Sequence, residues 1–241
     1  MFGNIENSAG ERLDYSFHEG SADSRDIVVI GHGVTGNKDR PFVVSLAEGL
    51  SSVGINALRF SFAGNGDSGG RFVDATISKE VEDLGSVLEM LQGYRVAYVG
   101  HSMGGAVGVL RASRDKHIGL LVSLAGMVHT QAFADREFGD VQPGNGFMWE
   151  DEDCPLSQQY IDDMAQIDSV VEIGAKIAVP WLLVHGSQDD VVPLQDTSDI
   201  IARAALGADL VVLDGANHVF SDHSDQMVQV VVEWMQRQFN S

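Results

Sequence analysis

Short apolar runs alternate with stretches of helical periodicity along this chain, and that alternation limits the folds open to it. Strand-like runs lie at Ile27–Ile30, Ile55–Phe62, Val96–Val99, Ile118–Leu124, Ala178–Val184 and Leu210–Leu213, with a more polar one near Leu13–Phe17. The runs are continuous rather than alternating, as in strands covered on both faces of a parallel sheet. Between them, Pro41 to Val53 opens with a proline suited to a first helical position. Ile77, Val81, Leu84, Leu88 and Leu91 recur on one helical face, as do Met227, Val230, Val231, Trp234 and Met235. Strands joined by right-handed helical crossovers predict an α/β protein with a doubly wound, mostly parallel sheet.

One stretch breaks the rhythm. From Met127 to Lys176 there is no clean strand, only Pro143, Gly144, Gly146, the acidic run Glu150–Asp153 and a helical pattern near Gln158–Ile167. Roughly 50 residues exceed a plain connection, so a small lid inserted over about 127–176 is expected. Its aromatic residues, Phe133, Phe138, Phe147 and Trp149, with Met148, either roof an apolar pocket or pack the lid onto the sheet; the sequence leaves both open. The run Glu150–Asp153 lacks the alternating ligand spacing of a calcium loop and reads as a solvated surface.

Charge narrows the partners. Thirty-five acids face 15 bases, a formal net charge of −20, which repels phosphate backbones and anionic membrane surfaces. Neither nucleic acid nor membrane is therefore an expected partner. The N-terminal MFGNIENSAGERLDYSF lacks a basic start followed by an apolar stretch, and Cys154 is the only cysteine, so a reducing, cytoplasmic setting is the expectation. A homodimer is left open.

The chemistry gathers at Gly100-His101-Ser102-Met103-Gly104, a G-x-S-x-G sequence that follows the run Val96–Val99 and opens a helical stretch from Ala106 to about Ser113. A nucleophile on a tight strand-to-helix turn needs neighbours without side chains two residues before and two after it. The following helix turns its amides and dipole toward the place where an anion would form. A serine hydroxyl needs a base, and the base needs an orienting acid. A carboxylate, Asp189 or Asp190, follows the run ending at Val184, and His218 follows the run ending at Leu213. Serine, acid and histidine thus come in that order, each past the carboxyl end of a different strand.

With these segments the chain resembles the α/β-hydrolase superfamily over nearly all its length, as a single domain over 1–241. Within it the chain is similar to bacterial serine carboxylesterases of the cinnamoyl/feruloyl esterase type, on HGVTGNKDR at 32–40, RFSFAGNGDSGG at 59–70, VGHSMGGAVG at 99–108 and GANHVFSD at 215–222. The resemblance implies Ser102 as nucleophile, Asp189 as acid and His218 as base. It implies an oxyanion hole from the amides of Met103, after the nucleophile, and Val34, in the loop after the third strand. Relatives often carry an aromatic residue at the place of Val34 and a glutamine at that of Met103, which bears on the shape of the acyl pocket. The implied activity is hydrolysis of a small-molecule carboxylic ester, possible aryl or cinnamoyl esters included, without metal or organic cofactor. Thioester hydrolysis, a perhydrolase reaction, peptide cleavage and ligand binding without catalysis are the alternatives.

Rival readings are weaker. Asp190 competes with Asp189, but the resemblance implies Asp189, by the family's spacing from His185-Gly186; Asp214 precedes His218 and is expected to order the turn. His223 belongs to a helix start, and His32 and His101 are expected to brace neighbouring loops. Gly64-Asn65-Gly66-Asp67-Ser68-Gly69 fits G-x-G-x-x-G, yet a polar spacer separates it from the next helix, unlike a dinucleotide site. Gly31 to Lys38 nearly spells a phosphate loop, but Asn37 stands where its lysine belongs.

Overall fold

A computed structural model of the chain describes residues 2–240; Met1 and Ser241 lie outside the described residues. A two-stranded hairpin comes first, β1 (Ile5–Glu6) with β2 (Arg12–Leu13). The remaining strands are β3 (Tyr15–His18), β4 (Asp26–Gly31), β5 (Asn56–Phe60), β6 (Arg95–His101), β7 (Ile118–Leu124), β8 (Trp181–Gly186) and β9 (Asp209–Leu213). They form one seven-stranded sheet in the order β3-β5-β4-β6-β7-β8-β9. β3 runs antiparallel to β5, and every other neighbouring pair is parallel. The expected doubly wound, mostly parallel sheet is the one observed.

Alternate residues of the central strands feed two cores. Val28, Ile30, Val99 and Leu182 point to one face, where α1 (Pro41–Ser52) and α8 (Ser224–Phe239) lay down Leu46, Leu50, Val231 and Trp234. Ile27, Val29, Tyr98 and Leu121 point to the other, against Val81, Leu84 and Leu88 of α2 (Ile77–Glu89) and Val107 of α3 (Met103–Ala112). Removing apolar area from water on both faces is what makes the continuous runs strands.

Four expectations need correction. The strand expected from Ala178 begins at Trp181, because Pro180 has no N–H to give the ladder. The helix expected from Ala106 begins at Met103: Gly104 and Gly105 lie where the strand and loop backbones crowd α3, so packing overrides their poor helix propensity. β9 is not covered on both faces but is an edge strand, with Leu210 40% and Val212 42% exposed. Because the hairpin stands apart from the main sheet, the loop of Val34 follows the sheet's second strand in chain order, β4, rather than its third.

Between β7 and β8 lie α4 (Thr130–Phe138), a short 3₁₀ turn at Met148–Glu150, α5 (Gln158–Ile167) and α6 (Val171–Gly174). Both ends of this segment are fastened. The Val170 amide donates to the Val128 carbonyl, the Gln131 amide to the Asp168 carbonyl, and the Val128 amide to buried Asp196 on α7 (Leu194–Ile201). Its aromatic residues divide between the two roles that the sequence left open, except Phe147, which is 39% exposed and lies outside both core and cavity wall. Phe133, Phe138 and Met148 are buried in the core, whereas Trp149 is 45% exposed and faces the cavity described next.

Candidate active site

β6 ends at His101, and Ser102 caps α3 with φ 53° and ψ −119°. A side chain at positive φ is costly, and the surroundings enforce it. A Cβ at Gly100 would run into the carbonyl of Gly104, and one at Gly104 would lie 2.5 Å from the His32 carbonyl oxygen. The Ser102 amide donates to the Leu124 carbonyl at 2.9 Å, and its carbonyl accepts from Met127 at 3.0 Å, which pins the turn to β7. The serine is 3% exposed and lines a cavity of about 330 Å³. His32, Val34, Arg40, Phe42, Trp149 and His218 also line that cavity.

Asp189 and His218 meet beside it. The Asp189 Oδ2 lies 2.8 Å from His218 Nδ1. A carboxylate only accepts, so Nδ1 carries the proton and Nε2 of the neutral ring is left as a base. The other oxygen, Oδ1, accepts the amides of Val191 at 2.9 Å and Val192 at 2.8 Å. The Asp189 side chain is fully buried. Burial opposes its charge, but hydrogen bonds from His185 and His218, the nearby imidazole and the Val192 amide outweigh that and hold the carboxyl well below the usual range. Asp190 is exposed, and Asp214 accepts from the Ser187 hydroxyl at 3.1 Å, so it orders its own turn. His223 caps α8.

Of the two backbone donors, the Met103 amide opens α3 and has no acceptor within that helix. The Val34 amide meets no hydrogen-bond acceptor among the described residues.

Three buried histidines brace the loops. His32 Nδ1 donates to the Gly33 carbonyl at 2.9 Å, while Nε2 accepts the Phe62 amide at 3.1 Å. His101 Nε2 donates to the His218 carbonyl at 2.9 Å, and the two rings stack at 4.7 Å. Burial pushes His32 down to about 4, and burial together with the His218 ring pushes His101 down to about 3, so both are neutral. The third, His185, was passed over in the sequence. It lies 3.2 Å from Asp189 Oδ2 through Nε2. Its signal was there to read: a histidine ending an apolar strand must find partners for both ring nitrogens. Trp149 carried no such signal, since nothing in its segment separates it from its buried aromatic neighbours.

A mostly parallel sheet carrying a serine at a strained turn between a central strand and a helix defines the α/β-hydrolase class of fold. The chain belongs to the alpha/beta hydrolase family, whose model matches residues 27–233. Its fold is similar to that of Est1E from Butyrivibrio proteoclasticus with ferulic acid bound, at a TM-score of 0.86 and 24% identity over 99% of this chain and 100% of that one. It is also similar to alpha/beta hydrolase domain-containing protein 10 from mouse, at a TM-score of 0.79 and 17% identity over 99% of each chain. In sequence it is 29% identical over 224 residues to an uncharacterized protein of Mycobacterium tuberculosis, covering 89% of this chain and 70% of that one. It is 22% identical over 212 residues to a mitochondrial palmitoyl-protein thioesterase of Bos taurus, covering 83% of this chain and 68% of that one.

Proposed function

We propose that this chain is a serine hydrolase that cleaves small carboxylic esters through an acyl-enzyme. The observation that carries the reading is the His218–Asp189 hydrogen bond of 2.8 Å, with His218 lining one cavity with Ser102. It leaves an unprotonated imidazole nitrogen as base in the cavity that Ser102 also lines. His218 takes the Ser102 proton as the hydroxyl attacks the ester carbonyl, then returns it to the departing alcohol. Asp189 keeps the ring in its Nδ1–H form and steadies the imidazolium. The amides of Val34 and Met103 receive the negative oxygen of the tetrahedral intermediate, each such donor being worth about 3 kcal/mol in the transition state. Water repeats the cycle on the acyl-enzyme.

The segment from Met127 to Lys176 acts as a lid over this site within a single domain, and Trp149 is its contribution to the cavity wall. Val34, Phe42, Trp149 and Val219 give the cavity apolar sides suited to an aryl acyl or alcohol group. The ferulic acid bound by Est1E supports that preference. A second reading, thioester hydrolysis by the same groups, is favoured by the similarity to a palmitoyl-protein thioesterase.

Short p-nitrophenyl esters are expected to be cleaved. Ser102→Ala should lower kcat by at least about 10³-fold and abolish labelling by a fluorophosphonate. A wild-type protein inert to both the esters and the probe would overturn the proposal. Comparing methyl ferulate with an acyl-CoA decides between ester and thioester.

A further inference from the structure

His185, at the end of β8, is fully buried, and three partners surround its ring. Nε2 lies 2.9 Å from the Val192 carbonyl and 3.2 Å from Asp189 Oδ2; Nδ1 lies 2.8 Å from Thr197 Oγ1 on α7. A carbonyl and a carboxylate only accept, so Nε2 must carry the ring proton. Nδ1 is then a lone pair, and the Thr197 hydroxyl must donate to it. The order of donation therefore runs one way, from Thr197 to His185 to Asp189.

The oxygen that His185 reaches is the one that holds His218. Oδ2 thus accepts the His218 N–H and lies 3.2 Å from the His185 Nε2, whose N–H it shares with the nearer Val192 carbonyl, and Oδ1 takes two backbone amides. These contacts hold the carboxylate in place, and the ring N–H groups draw charge away from Oδ2. We propose that His185, its ring anchored by Thr197 and its Nε2–H fixed by the acceptors it faces, is a positioning residue that aims Asp189 at His218. The inference rests on the reading of Asp189 and His218 given above. A histidine serving only to hold the turn from Gly186 to Val192 would need the Val192 carbonyl alone.

Thr197→Val keeps the shape of the site but removes the hydroxyl that anchors the ring at Nδ1, so that Nε2–H is no longer held toward Asp189. His185→Leu removes the donor, and His185→Gln restores an N–H. Two readouts separate positioning from mere support: kcat against KM on a p-nitrophenyl ester, and the NMR signal of the His218 Nδ1 proton, which needs no substrate. With fewer donors Oδ2 is the stronger partner for Nδ1–H, and a stronger hydrogen bond moves that signal downfield. Thr197→Val and His185→Leu are expected to shift it downfield. They should lower kcat about tenfold with KM within about twofold, and His185→Gln should recover most of both effects. A folded Thr197→Val protein with a wild-type Nδ1 proton signal and kcat overturns the inference, and it decides the matter where His185→Leu does not fold. Asp189→Asn belongs in the same series. If it retains full activity, the reading of the site itself fails; if it is inactive beside a wild-type-like Thr197→Val, only the positioning role does.

Discussion

Ser102 holds a conformation that its own backbone disfavours, and single residues nearby make it tolerable. Gly100 and Gly104 give room, and buried, uncharged imidazoles fasten the loops on either side. His32 is the cleaner test of the second device, because both its hydrogen bonds go to backbone: it gives one to Gly33 and takes one from Phe62. At neutral pH, His32→Gln should cost about 2 kcal/mol through these lost bonds. Folding lowers the wild-type imidazole from 6.5 to about 4. Between those values the unfolded chain binds a proton that the native one refuses, so the stabilising term is full above 6.5 and fades as pH falls. The advantage of wild type over His32→Gln should therefore fall by about 1.4 kcal/mol per pH unit across that window and change sign near pH 5, as read by urea denaturation. A gap independent of pH would mean that the ring is not held neutral.

Among the elements, α2 departs most from what its pattern promised. Its apolar stripe was legible, yet Glu80 and Asp83 lie buried beside that stripe at 1% exposure. Asp83 has reasons to be there: it accepts from Asn7 and from the Ala63 amide, tying the N-terminal hairpin to the loop after β5. Glu80 Oε2 has no partner among the described residues, and it faces a small void shared with Val34, Met103 and Tyr160. Burial raises the Glu80 carboxyl well above 4.5, and nearby Asp83 and Asp163 add to the rise. Here the native state keeps a proton that the unfolded chain has released, so stability declines as pH climbs above 4.5. Glu80→Gln should remove that decline, with little change at pH 4 and a gain of about 1–2 kcal/mol at pH 8. Equal denaturation midpoints at both pH values would show that Glu80 is charged and satisfied.

The same scale shows how far the sequence could be read. β7 and α5 were legible to the residue, because a continuous apolar run and a serine-capped periodic stretch are unambiguous. α4 and α7 were not: α7 brings only Leu194, Ile200 and Ile201 to a stripe, and α4 is interrupted by charge. The hairpin strands have two residues each, too few to show any period. At the site, the places of Ser102, Asp189 and His218 followed from strand ends and motif spacing. The partners of His185 did not, because Thr197 belongs to α7, a helix the pattern hid.

For the molecule as a whole the governing quantity is charge. A formal −20 on 241 residues is a standing self-repulsion in the compact state, and counter-ions should relieve it. Raising NaCl from about 10 mM to 500 mM, where the screening length falls from roughly 30 Å to under 10 Å, should raise Tm by several degrees. A melting temperature indifferent to salt would mean that paired charges already cancel the field.

The uncovered margin of the sheet gives that repulsion a further use. β9 pairs on one side only, with β8, and exposes Leu210 and Val212 beside Leu206, which is 69% exposed. Spare main-chain donors and acceptors flanked by bare aliphatic groups invite a strand from a neighbouring molecule. Like charge keeps neighbours at a distance in neutral buffer, and at the isoelectric point near 4.5 that guard disappears. Acid-induced clumping of this protein would accordingly begin along one seam, where an extra strand can zip onto the ninth without any unfolding.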